Sequence, residues 1–411
     1  MRVGDQVTLA ARLSCALALA LPIGAEPLFV SAELVHTSGA AGTFEHGVVR
    51  IEGGHIDAVG PASAVRIPAG VRVLEGAVIT PGLIDTHSVV GLNGLLNVAA
   101  DQDADERSGA NQAGLRAIDG FNPREPGLKW LLRHGVTTVQ TGPGEANPIG
   151  GLAGVFHTHG TSVEDMTLRF PSALVMTLGE SPKMTYAQAK TAPLTRMGTA
   201  ALIRQAFVAA QKYGEKNGAD DDSPTRDLGN EALLLALRAE IPTLITARRR
   251  DDIATALRIA REFSLDLHLA NAVDGYLMAG ELSEAGVPIH VGPVMERLGR
   301  IETLNASFEG PAILAAADVP ITFQSGYEAY VPKIRVVLFE AAVAAAYGLG
   351  SERALRALTS DAAERLGVAD RVGSLEPGKE ADLVVWDGDP FEYTTHVLAV
   401  IVRGEVAYLR E

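Results

Sequence analysis

From Pro81 to Leu366 the chain alternates between short apolar or β-branched runs and longer stretches with the hydrophobic period of a helix. That alternation constrains the fold more than any single residue, because strands joined by helices run parallel in a sheet that the helices cover. The strand-like runs are Val136 to Gln140, Thr243 to Ala247, Leu265 to Leu269, Val287 to Val291 and Ile321 to Phe323. Helical patterns cover Ala200 to Tyr213, Glu231 to Glu240, Asp251 to Phe263, Gly275 to Ala285, Ala312 to Ala317, Pro332 to Tyr347 and Ser351 to Leu366. The length of this region fits a (β/α)8 barrel of the α/β class better than an open sheet.

On both sides of the barrel region the texture changes. Glycine-broken β-like runs precede it at Leu28 to Val35, Gly47 to Glu52, His55 to Val59 and Val71 to Leu74. Strand patterns return after it at Asp382 to Trp386, Val397 to Val402 and Glu405 to Leu409. The two ends are therefore expected to meet in one small β-sandwich, residues 26–80 with 367–411, beside a barrel of residues 81–366. Glu215 to Asp227, with Asp220-Asp221-Asp222-Ser223-Pro224, reads as a polar loop.

Composition sets limits on function. A chain of 411 residues, 47% of them apolar, can bury one large core and a smaller second one. Its net charge of −15 argues against a nucleic-acid partner, since phosphate binding needs clustered Lys and Arg. Residues Met1 to Ala25 read as a secretory signal, with Arg2 and Arg12 around a short n-region, an apolar run from Leu13 to Ile23, and small residues at Gly24-Ala25. The expected location is thus secreted or periplasmic; the other reading of this segment, kept open by Asp5, is an extension from a misplaced start. The run is shorter than the ~20 residues that span a bilayer. Cys15, the only cysteine, lies inside it, and Arg12 stands where a lipobox would need an apolar residue. A chain cleaved after Ala25 has no thiol, which excludes disulfides, Cys-ligated zinc and a Cys nucleophile.

Five segments together resemble the metal-dependent amidohydrolase superfamily, in particular its imidazolonepropionase-like and prolidase-like members. They are Pro81-Gly82-Leu83-Ile84-Asp85, the run Arg116 to Pro123, Gly135-Val136-Thr137-Thr138-Val139, Asn147-Pro148-Ile149-Gly150-Gly151, and the tail Arg371 to Val384. The resemblance spans nearly all of residues 26–411. It implies a distorted (β/α)8 barrel beside a β-sandwich built from both chain ends, and hydrolysis of non-peptide or dipeptide C–N bonds.

Such proteins place a His-x-His on barrel strand 1, a carboxylated lysine or glutamate on strand 4, histidines on strands 5 and 6, and an aspartate on strand 8. These groups hold one or two divalent ions that activate water. Here strand 1 supplies His87 but Val89, strand 4 has Val175 at the lysine position, and strand 5 has Thr246 and Arg248. Strand 6 carries Asn271, and strand 8 carries Gly326. A catalytic metal takes at least three protein ligands, and a guanidinium repels a dication. The resemblance thus implies a degenerate metal site in which His87 is a remnant, with no cofactor at the mouth.

The surviving polar residues, His87, Thr246, Arg248 and Asn271, are expected to form a barrel-mouth pocket rich in donors and without an obvious carboxylate, a nest for an anionic small molecule. Arg248 either serves that nest or pairs with an acid such as Asp274 or Glu328. Phe156-His157-Thr158-His159-Gly160 is a second His-x-His, read as a hydrogen-bonded pair rather than a relocated metal site. His268 should face away from the strand 6 position, and His134 should sit as a cation at a helix C-terminus. Asp101, Asp103, Asp105 and Glu106 read as a solvated loop rather than a calcium site. Gly142-Pro143-Gly144 and Gly150-Gly151 read as barrel-mouth turns, and no Gly-x-Ser-x-Gly elbow is present.

The functional expectation is a catalytically inactive homologue that binds a ligand or assembles, as a homo-oligomer or with a related amidohydrolase subunit. The alternative is an active hydrolase of cyclic amides or dipeptide-like substrates, using zinc or another divalent metal at a rebuilt site with His157 and His159, or an oxyanion held by Arg248. A purely structural subunit is the third reading.

Overall fold

The computed structural model describes residues 26–218, 226–296, 299–327 and 336–411. The signal-like segment Met1 to Ala25, Asp220 to Pro224 and Glu328 lie outside the described residues. Among the described residues, fifteen strands fall into two sheets. Four precede the barrel: β1 (Leu28–His36), β2 (Thr43–Glu52), β3 (His55–Pro61) and β4 (Val73–Pro81). Eight form it: β5 (Leu83–Ser88), β6 (Val136–Thr141), β7 (Ile149–His157), β8 (Thr167–Thr177), β9 (Thr243–Ala247), β10 (Leu267–Asn271), β11 (Ile289–Val291) and β12 (Ile321–Phe323). Three follow: β13 (Leu383–Trp386), β14 (Val397–Val402) and β15 (Glu405–Leu409).

The barrel strands stand side by side in chain order from β5 to β12. A parallel bridge between Ser88 and Gly326 nearly closes the ring, with Gly326 N donating to His87 O at 3.1 Å. Every residue of β5, β6, β9 and β10 is buried, because helices cover the outside and side chains fill the bore. Small residues line part of that bore, where Ala153, Ala173, Val175, Leu244 and Ala270 form a closed apolar cluster.

The barrel departs from strict βα alternation at one strand. β7 runs antiparallel to both β6 and β8, so its start lies near the mouth and its end, His157, at the opposite end beside Thr138. Its Ile149-Gly150-Gly151 start hides it from a strand search. Gly151 has φ +128, and a Cβ there would lie 2.6 Å from Leu115 O, so only glycine lets the two backbones approach.

Both chain ends build the second sheet, in the order β15-β14-β13-β4-β1-β2-β3. β1 pairs in parallel with β4, and every other pairing in the sheet is antiparallel. It has its own apolar core, including Val30, Val49, Ile79, Leu383 and Ile401. Trp386 fastens β13 to β4 by donating to Thr80 Oγ1 at 3.0 Å, with its ring fully buried. Among the described residues no helix is long and apolar enough to cross a membrane.

Candidate functional site

At the C-terminal end of β5 His87 is completely buried, and neither ring nitrogen has a hydrogen-bond partner among the described residues. Burial pulls its pKa down to about 4, so the ring is neutral at pH 7. Its neighbours explain why nothing answers it. The ring meets Tyr327 edge-on at a centroid distance of 5.0 Å. On another side lies Gly142, where a Cβ would stand 3.3 Å from His87 Cε1 and 3.1 Å from Val175 Cγ2. Val175 brings a methyl group to the place where the resemblance expects a carboxylated lysine.

Two residues before it, Asp85 accepts from Ser325 N at 3.0 Å, from the Ser325 hydroxyl and from His87 N at 3.2 Å. Those bonds spend the carboxylate on the joint between β5 and the loop after β12. Burial still pushes its pKa up to about 7.

Above these groups opens a cavity of about 880 Å3 whose wall includes Val89, Asp105, Arg107, Glu145, Arg248, Asn271, Arg300 and Tyr327. Of the four residues expected to share a pocket, Arg248 and Asn271 stand on this wall. His87 and Thr246 do not; the Tyr327 hydroxyl bonds to Thr246 Oγ1 and its ring covers His87. The phenol separates the strand 1 remnant from the open mouth.

Arg248 pairs with an acid other than Asp274 or Glu328. Its Nη2 lies 2.7 Å from Glu145 Oε2, while Arg300 Nη1 lies 3.0 Å from Glu145 Oε1 and donates to Ser181 Oγ at 2.8 Å. Asp274 is engaged elsewhere, accepting from Arg250 N at 3.0 Å and from Asn305 Nδ2 at 3.0 Å. The mouth therefore does contain carboxylates, which corrects the expectation of a bare nest of donors. Burial works against the Arg248 charge, yet Glu145 and Glu296 outweigh it and hold the guanidinium protonated. Burial likewise opposes the Glu145 charge, and Arg248 and Arg300 bring its pKa below the usual value.

Two buried nitrogens of Arg248, Nε and Nη1, have no partner among the described residues, and neither has Asn271 Oδ1. Asn271 Nδ2 donates to Gly292 O at 2.9 Å. Its backbone sits at φ +66, a left-handed conformation that asparagine tolerates better than most L-residues and that turns its side chain at the strand end.

The other candidates take structural places. Asp105 is not part of a purely solvated loop: it borders the cavity, accepts from Ala146 N at 3.0 Å, and burial raises its pKa. His134 Nδ1 donates to Trp130 O, 2.9 Å away, and burial lowers its pKa, so it is a neutral donor there and not a cation. His268 is buried with Nδ1 3.1 Å from His290 Nε2, and His290 Nδ1 lies 2.7 Å from Thr322 Oγ1. His157 and His159 do not converge on one ion: His157 lies between Glu380 and Asp382, and His159 lies 3.5 Å from Glu405 at the surface. Among the described residues, His157, Glu380 and Asp382 are the one group of three potential metal ligands close enough to share an ion.

Sequence reasoning passed over Glu145, Tyr327 and Arg300. The signal for Glu145 was its position directly after Gly142-Pro143-Gly144, in a loop at the C-terminal end of a barrel strand, where such folds carry their chemistry. Tyr327 follows Gly326 at once and was equally accessible.

Comparison with known proteins agrees with this architecture. Residues 328–407 match the family described as "Amidohydrolase family". The chain is 32% identical to an amidohydrolase from Thermotoga maritima MSB8, and the two structures align with a TM-score of 0.87 over 93% of this chain and 100% of the other. It is 26% identical over 404 residues to an imidazolonepropionase from Paracoccus denitrificans, covering 90% of this chain and 96% of that one. It is also 27% identical over 394 residues to "Amidohydrolase tasK" from Hapsidospora irregularis, covering 85% of this chain and only 38% of that protein's length.

Proposed function

The chain belongs to the amidohydrolase family, and from that premise we propose that it is a metal-independent member whose barrel mouth binds a small polar molecule without hydrolysing it. The family normally depends on a metal, and the side chains at the mouth decide whether one could be held there. His87 is a single imidazole walled in by Val175, Gly142 and Tyr327, and the strand 5 position carries the cationic Arg248. Three protein ligands do not converge there among the described residues, and the guanidinium would repel the ion. A mouth metal does not fit these side chains.

The observation that carries the ligand reading is Arg248 itself. A buried guanidinium whose Nε and Nη1 have no partner among the described residues costs free energy unless something answers them, and Arg248 stands in the wall of a cavity large enough for a metabolite. The matching ligand presents carboxylate or carbonyl oxygens to the Arg248 guanidinium and an N–H to the Asn271 side chain, whose unanswered atoms are buried and must be turned into the cavity by a side-chain movement. Glu145 already answers Arg248 Nη2, so the ligand completes a half-made set of bonds and does not have to displace the ion pair.

The test combines metal analysis with a thermal-shift and turnover panel of carboxylates, lactams and dipeptides. The reading expects a panel member that raises Tm in the wild type and not in Arg248→Met, with no turnover. Near-stoichiometric metal that is lost in His87→Ala, or turnover of a lactam or dipeptide that disappears in Arg248→Met, would overturn it. We further propose that the chain is exported, which N-terminal sequencing of the natural protein checks: a first residue near Glu26 supports export, and an intact Met1 in the extracted protein opposes it.

A further inference from the structure

A chain of polar contacts runs from the buried side of the mouth out to solvent. Arg248, its side chain 6% exposed, holds Glu145 Oε2 at 2.7 Å through Nη2, and Glu145, 14% exposed, is held at Oε1 by Arg300 Nη1 at 3.0 Å. Arg300 is 46% exposed, and its Nη1 also donates to Ser181 Oγ at 2.8 Å, in the first turn of the helix Glu180–Gln188. All four residues stand in the cavity wall, and they come from the loops after β9, β6, β11 and β8. The links differ in strength. Separating a buried pair strands a charge away from water, whereas an exposed ion pair is screened and contributes little. Arg300 is therefore the link that opens first. We propose that the Arg300 side chain is a latch on the mouth: engaged, it holds Glu145 and Arg248 in place, and swung into solvent, it lets that pair turn together towards the cavity. The latch rests on the reading that Arg248 receives a ligand, since that reading needs the buried guanidinium to move.

A latch needs a fixed mount and a free arm, and the short turn Ile301–Thr303 supplies the mount. Two residues on from Arg300, Glu302 is 1% exposed, and its Oε1 accepts from Glu180 N at 2.6 Å and from Arg196 Nη2 at 2.7 Å. Gly179 lets this carboxylate sit against the head of the helix, because a Cβ there would collide with Glu302 Oε1. Thr303 Oγ1 donates to Arg300 O at 3.1 Å and so fixes the backbone from which the arm springs. The turn therefore stays in place while the exposed guanidinium can leave. Its departure does not strand Glu145, which keeps Arg248 on its other oxygen. Nor does it strand Arg300, which passes into water. The inner pair is different: with both groups buried, Arg248 and Glu145 move as a unit or not at all.

The test reads the exposure of Arg248 as the rate at which phenylglyoxal, which adds to accessible guanidinium groups, modifies it in the full chain, mapped by peptide mass spectrometry at low salt and at about 0.5 M salt. In the wild type the Arg248 rate should rise several-fold with salt, which screens the exposed Arg300–Glu145 pair. In Arg300→Met it should be several-fold faster than wild type already at low salt, and indifferent to salt. Arg371, at the other end of the barrel, should react equally fast in the two proteins at low salt. An Arg248 rate that is the same in both proteins overturns the latch, and so does one that rises only together with the Arg371 rate, which would mean general loosening. Should Arg300→Met fail to fold, Ser181→Ala removes one of the arm's two holds and should give a smaller rise at Arg248. An unchanged rate in that variant, with no salt response in the wild type, overturns the latch equally. The ligand reading fails separately: if no carboxylate, lactam or dipeptide raises Tm while the Arg248 rates respond, that reading falls and the movement of the arm stands. A panel member that raises Tm while the Arg248 rates stay fixed strikes the latch and spares the reading.

Discussion

Arg248 shows how far one residue can be read before its neighbours are known. Its position at the end of strand 5 was legible from flanking sequence; its partner was not, because Glu145 lies about a hundred residues earlier in a loop after β6 and no local pattern links the two. Charge type can be read from sequence, but pairing is a property of three-dimensional packing. The pair makes a definite prediction. Arg248→Met removes the charge while keeping much of the volume, leaving buried Glu145 with Arg300 alone, and should destabilise the protein by about 3 kcal/mol. Adding Glu145→Gln should restore a good part of that, because the uncompensated carboxylate is then gone. Urea unfolding of the two single variants and the double variant checks this as a coupling energy, and simple additivity would show that Arg248 and Glu145 do not depend on each other. His87 teaches the complementary lesson. The sequence singles out His87 on strand 1, yet it does not show that Tyr327 packs edge-on against the ring, since that contact is set by where the loop after β12 returns.

Elements were easier to read than contacts where the hydrophobic period was long. The helix Arg250–Phe263 was legible almost to the residue because Ile253, Ala256, Leu257, Ala260 and Phe263 repeat on one buried face. β7 was not, since its glycines remove the side-chain alternation that marks a strand, and its antiparallel course breaks the rhythm that the rest of the barrel follows. Those glycines have a cause that can be tested. At Gly151 a Cβ would meet a carbonyl oxygen that is part of the backbone and cannot swing aside, and the left-sided φ adds strain. Gly151→Ala should therefore cost about 3 kcal/mol or more, combining clash and strain. Gly42→Ala is the control: its φ is +70 but nothing lies within 4 Å of the added Cβ, so the backbone preference alone should cost about 1 kcal/mol. Equal losses of denaturation midpoint in the two variants would mean that the close approach to Leu115 O does not constrain the barrel.

For the molecule as a whole, the buried titratable groups act in opposite directions and together shape stability against pH. His87 and His268 have pKa values lowered to about 4 by burial, and His290 is lowered well below the ordinary value by burial and by His268. Each resists protonation when folded, so below pH 6.5 the unfolded chain binds more protons and stability rises with pH up to about 6.5. Asp85 and Glu302 work the other way. Burial raises each to about 7, so between the ordinary carboxyl range and pH 7 the folded chain holds more protons and stability falls as pH rises. These opposing slopes partly cancel on the acid side, where His36 and His134, also lowered by burial, join the three histidines, and Asp105 and Asp252, also raised by burial, join the two carboxyls. Above pH 7 the cancellation ends, because the histidines of the bore are already neutral in both states, whereas His157 has its pKa raised to about 9 by Asp382 and Glu380. The expected profile of Tm is a shallow acid limb, a maximum near pH 6.5 and a steeper alkaline limb. A scan of Tm from about pH 4 to pH 10 measures it directly, and the two limbs can be separated by variant. Asp85→Asn should steepen the acid limb, since it removes a group whose slope opposes the histidines, while leaving the alkaline limb in place. A maximum at or below about pH 5, or an acid limb that Asp85→Asn flattens, would show that the polar groups under the mouth are not as dry as their packing makes them.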